Sequence, residues 1–118
     1  MYSRIGNTTL QAIGFALAVP CIISAAPARA GPPEFVLEIR NHLFLPSEIT
    51  IPADTKVKLV VYNRDPTPEE FESYELNREK IIMGERKAVI FIGPLAPRRY
   101  PFFGEFHPDT ALGHIIVK

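Results

Sequence analysis

The sequence predicts an all-β domain, a Greek-key sandwich of about seven short strands, behind a secretory leader. Three observations carry this reading. Apolar and polar residues alternate at period two in several short runs. Pro and Gly punctuate nearly every gap between those runs. The first thirty residues follow leader order, with a positive start, an apolar core and a small-residue end.

The leader comes first. Residues 1–11 are polar, with Arg4 and no acid, and residues 12–26 read AIGFALAVPCIISAA. Ala28-Arg29-Ala30 is an A-x-A cleavage pattern, and Gly31-Pro32-Pro33 follows. Residues 1–30 are therefore read as a signal peptide and 31–118 as the domain, expected in the periplasm. The apolar run is short for a membrane span and Pro20 interrupts it; an uncleaved anchor is the alternative. Cleavage removes Arg4 and Arg29 and no acid, leaving 11 basic against 13 acidic residues. That balance offers no basic surface for nucleic acid. The only cysteine, Cys21, lies in the leader, and Ala18-Val19-Pro20 before it is a poor lipid-anchor sequence. Residues 31–118 thus hold no thiol for a disulfide, a nucleophile or a metal.

The elements follow in order. Phe35, Leu37 and Ile39 alternate with Val36, Glu38 and Arg40, a half-buried strand. Phe44 has the opposite parity, so a bulge or turn near Asn41 must reset the face. Ile49 and Ile51 flank Thr50, and Val57, Leu59 and Val61 alternate with Lys56, Lys58 and Val60. Residues 64–83 are acidic and poor in alternation, and are expected as a long functional loop. Glu75, Arg78 and Glu79 could share one short helix there, and Phe71, Tyr74 and Leu76 give the segment something to bury. KAVIFIG, residues 87–93, is apolar on both parities and reads as a strand covered on both faces. Residues 100–103 and 115–117 supply two more strands.

Catalytic signatures are absent. No Gly-x-Ser-x-Gly elbow, triad spacing or Gly-rich phosphate loop occurs. The histidines are His42, His107 and His114. Glu105 and His107 are two apart and would share a side in an extended strand; they could hold one divalent ion or simply hydrogen-bond each other. His42 ends the first strand, either beside a site or as an exposed surface residue. His114 reads as a surface strand residue. Glu70 and Glu72 flank Phe71 in a segment with more acids than bases, and crowded carboxylates favour a cation among them; a solvated acidic loop is the plain alternative. Met83 before a Gly turn reads as apolar filler.

The order of motifs resembles the cupredoxin family. It runs Phe44-x-Pro46-x-x-Ile49-x-Ile51-Pro52-Ala53, then Val57-x-Leu59-x-Val61-x-Asn63-x-Asp65, then an aromatic at Phe71. It ends with Gly93-Pro94-Leu95-x-Pro97-x-x-Tyr100-x-Phe102 and Gly113-x-Ile115-x-Val117. The resemblance implies a cupredoxin-like Greek-key β-sandwich with a metal at one end. It also shows what is missing. The family's first His falls near Glu69 or Glu70, its Cys at Gly104, its second His at His107 and its Met near Ala111 or Leu112. Without thiolate, a type 1 blue copper site cannot form.

NRDPTPEEFESYELNREKII, with GPL and FFGEFHPDTALG, is similar to the small periplasmic cupredoxin component of bacterial Ftr-type and Efe-type ferrous iron uptake systems. Glu70-Phe71-Glu72 matches the Glu-aromatic-Glu element of the Efe-type domain, whose sulfur ligands fall at Phe44, Phe102 and Gly104. This implies an iron or copper ion held by Glu70, Glu72, Glu105 and His107, with His42 as an outside member and Phe71, Phe102 and Phe106 as an apolar wall. It also implies an inner-membrane iron permease and other periplasmic iron-uptake components as partners. A redox-inert module docking through the acidic segment and a copper carrier are the alternatives.

Overall fold

The computed structural model describes residues 6, 9–26 and 31–118. Residues 9–26 carry neither helix nor strand, and the A-x-A pattern, residues 28–30, lies outside the described residues. From residue 34 onward the chain forms nine strands: β1 (Glu34–Arg40), β2 (Leu43–Leu45), β3 (Glu48–Ile51), β4 (Val57–Asn63), β5 (Glu69–Ser73), β6 (Arg78–Ile82), β7 (Lys87–Ile92), β8 (Arg98–Gly104) and β9 (Leu112–Val117). They form two sheets, ordered β2-β1-β4-β7 and β3-β9-β8-β5-β6. Both sheets are mixed, because β1 runs parallel to β4 and β3 parallel to β9. The expected all-β Greek-key sandwich is what the chain forms.

The period-two runs bury the parities expected of them. Leu37 and Ile39 of β1, Val57, Leu59 and Val61 of β4, and Ile115 and Val117 of β9 are all essentially inaccessible. Phe44, Phe71 and Phe102 meet at one end of this core. Phe71 stacks on Phe102 with centroids 5.0 Å apart, and Phe44 sits edge-on to Phe102 at 4.9 Å. Gly113 lies opposite Phe102, and a Cβ there would collide with that ring. The face reset before Phe44 is a two-residue hairpin turn: Arg40 pairs with Leu43, and Asn41 and His42 both take positive φ, 50° and 59°. That is the conformation the right-handed twist of a tight hairpin favours.

Two elements differ from expectation. Residues 64–83 are not chiefly loop, and Arg78 and Glu79 are not helical. β5 and β6 form a hairpin with Glu72 opposite Glu79, and Glu75 lies in the turn between them. The alternation was there, but a charged residue occupies the inward parity: Glu69 lies on the same side as Phe71 and Ser73, and all three are buried. β7 is not covered on both faces. It is an edge strand, with Val89 and Phe91 exposed.

Candidate metal centre

Three loops and strands distant in sequence converge over the Phe44–Phe71–Phe102 end of the core. Glu69 begins β5, His42 closes the β1–β2 turn, and His107 lies in the turn that follows β8. Glu69 is 1% exposed. Carboxyl groups are rarely buried so far without hydrogen-bond partners, and this one is partnered on both oxygens. Oε1 accepts the backbone N–H groups of Glu70 and Phe106, each at 3.0 Å. Oε2 lies 2.6 Å from His107 Nδ1.

Gly104 makes room for that carboxylate. A Cβ at residue 104 would lie 2.7 Å from Glu69 Cδ, 2.8 Å from Glu69 Oε1 and 2.7 Å from Ala111 Cβ. The Glu69 carboxylate therefore fills the space into which a side chain at residue 104 would project. A side chain at that position would require the Glu69 carboxylate and Ala111 to shift.

His42 is held as firmly by its backbone. Asp65, 8% exposed, accepts the N–H of Asn41 on Oδ1 at 2.8 Å and that of His42 on Oδ2 at 2.9 Å. The Thr110 hydroxyl donates to the His42 carbonyl at 2.9 Å, tying the turn to the His107 loop. The two imidazoles then stack, with centroids 3.5 Å apart and planes 15° from parallel. Their side chains are 42% and 31% exposed, so the pair forms the wet rim over a buried carboxylate. One ligand atom from each of His42, Glu69 and His107 can be chosen so that all lie within 4.8 Å of one another.

The structure thus divides the residues expected as ligands. It brings His42 and His107 together. Glu70 and Glu72 point to the outer face of their sheet, where they cluster with Glu79 and not with either imidazole. The reason is parity, since Phe71 turns inward and its neighbours turn out. Glu105 also lies apart. Residues 105–107 form a turn and not a strand, so two-apart spacing does not align Glu105 with His107. His114 is half-buried in β9, opposite Glu48 and Pro101. Of the apolar wall, Phe71 and Phe102 are buried, whereas Phe106 is exposed. Glu69 is the residue that sequence reasoning passed over as a ligand. Its signal was available: if Phe71 faces the core, so does the residue two before it.

On the outer face Glu72 is 8% exposed, and its carboxyl is pushed above the usual range. Burial is the main cause, followed by the negative charges of Glu79, Glu70 and Glu105.

Known proteins share this frame. A relative from Rickettsia prowazekii (strain Madrid E), the uncharacterized protein RP394, is 46% identical over 85 residues, covering 72% of this chain and 68% of that protein. Among solved structures, the metal binding domain of the Cu(I) exporting P-type ATPase CopA of Streptococcus pneumoniae D39 superposes with a TM-score of 0.64 at 15% identity, over 72% of this chain and 84% of that one. Auracyanin A, a blue copper protein of Chloroflexus aurantiacus, gives 0.64 at 12% identity over 75% and 100% of the two chains. Amicyanin from Paracoccus versutus gives 0.57 at 19% over 78% and 86%. At those identities the likeness is one of fold. The family model of the cupredoxin-like domain matches residues 13–117, and the chain belongs to that family.

Proposed function

We propose that this domain holds one transition-metal ion between His42, Glu69 and His107, as a metal-handling component of ferrous iron uptake. The observation that carries this is the convergence on Glu69: a carboxylate 1% exposed, facing one of two stacked imidazoles on a solvent-open rim. The donors fit such an ion. Imidazole suits iron, copper and zinc, and carboxylate adds preference for the harder, more highly charged forms. The bound ion would supply a redox-active or Lewis-acidic charge at the rim. The chain's own part is to fix three donors on a rigid scaffold, Asp65 and Thr110 holding His42 and Gly104 making room for Glu69. A site without sulfur differs in kind from the thiolate copper site that the cupredoxin resemblance implies.

The remaining parts of the reading rest on the leader and on the likeness to iron-uptake cupredoxins. The domain works in the periplasm, captures Fe(II), and passes iron to an inner-membrane permease. The acidic face of Glu70, Glu72, Glu79 and Glu105 raises the local cation concentration beside the site. A copper carrier is the second reading, favoured by the copper-binding fold relatives. Anaerobic calorimetric titration with Fe(II), Cu(II) and Cu(I) separates the two. Saturable Fe(II) binding lost in His107→Ala supports the iron reading, and tight binding of copper alone transfers the site to copper carriage. Absence of binding by every ion overturns both.

A further inference from the structure

The outer edge of the sandwich, between β6 and β7, is open. Each is the last strand of its sheet, and they do not pair with each other. The backbone groups on their outer edges face this gap, and side chains already occupy two of the carbonyls. The Asn63 side-chain amide reaches into it to donate to the Ile82 carbonyl at 3.0 Å, and Arg78 Nε donates to the Phe91 carbonyl at 2.9 Å. Backbone groups two residues apart on a strand point the same way. Lys80 on β6, and Val89 and Lys87 on β7, therefore also turn unpaired N–H and C=O groups toward the gap.

The lining has a definite chemistry. A groove of about 760 Å³ runs along this edge, and its lining includes Lys80, Arg86 and Lys87 but no acidic residue. None of the three cations takes part in an ion pair among the described residues. Between them lie exposed apolar side chains: Ile81 at 52%, Met83 at 58% and Val89 at 37%. β7 is also the strand whose sequence reads as covered on both faces. Lys87 also lies over the Tyr62 ring, 5.7 Å from its centroid. Unpaired strand edges, cations outside any ion pair and exposed apolar residues on one groove are the features an added strand would use together.

We propose that the β6–β7 groove docks an extended acidic segment of a partner protein, which pairs with one free strand edge and sets its carboxylates against Lys80, Arg86 and Lys87. The site is separate from the candidate metal centre and does not depend on it. The test uses the full chain and a fluorescein-labelled peptide alternating Glu and Val, with a Lys-for-Glu peptide as control. Saturable binding of the acidic peptide is expected, weakened about tenfold or more in Lys80→Glu/Lys87→Glu and by added salt. Amide shifts on binding should fall on β6 and β7. The proposal is overturned if the acidic peptide fails to bind, or if both peptides bind alike. It is equally overturned if the double variant, folded by its melting curve, binds as the parent does. Concentration-dependent dimers abolished by the same variant would make a second copy of this chain the occupant, which also overturns it.

Discussion

Glu69 and Glu72 lie three residues apart on one strand and both are more than nine-tenths buried, yet their surroundings are opposite. Glu69 meets two backbone N–H groups and an imidazole. Glu72 faces Glu79, Glu70 and Glu105. Because burial and those charges raise the Glu72 pKa, the folded state holds its proton more tightly than the unfolded chain does. Stability from this group is therefore lost as pH rises from the ordinary carboxylate range through the raised value. Glu72→Gln is expected to raise the melting temperature at pH 7. The gain should shrink as pH falls through the raised pKa and vanish below the ordinary carboxylate range, as thermal melts across that window would show. Gly104 gives a second prediction. Its Cβ-filled form would press on Glu69 and Ala111, so Gly104→Ala should cost about 1–3 kcal/mol in denaturant unfolding and displace the Glu69 carboxylate from His107.

Among the elements, the β1–β2 turn separates stability from function most cleanly. His42 holds a left-handed conformation that favours Gly. His42→Gly should leave the fold within about 1 kcal/mol of the parent, or more stable, while removing one imidazole from the rim. Asp65→Ala should do the reverse. It takes away the acceptor of both turn N–H groups, and should cost about 2–3 kcal/mol although it deletes no candidate ligand. Equilibrium unfolding of the two variants checks the contrast. The face reset at Asn41 was legible because Phe44 breaks the parity of Phe35, Leu37 and Ile39. The β5–β6 hairpin was not, because a buried Glu69 makes an inward-facing row look like a solvated acidic stretch. KAVIFIG misled for a different reason: apolar residues on both parities signal a need for cover, and within this chain only one face of β7 receives it.

For the molecule as a whole, fold class followed from period-two runs and turn residues, which are local properties of the chain. The candidate site did not, because it depends on where loops meet. His42 and His107 are 65 positions apart in sequence but stacked at 3.5 Å, and only the sandwich topology joins them. The resemblance implies Glu70 and Glu72 as ligands and spacing suggests Glu105, but strand parity and a turn place all three away from the imidazoles. What remains is a cupredoxin-like frame with oxygen and nitrogen donors gathered at the candidate metal centre. Electron paramagnetic resonance of the protein loaded with one equivalent of Cu(II) tests this most directly. The account predicts a bound ion with nitrogen couplings from two imidazoles, falling to one in His42→Gly and weakening in Glu69→Gln. A spectrum of free Cu(II), or a bound spectrum unchanged by either substitution, would contradict it.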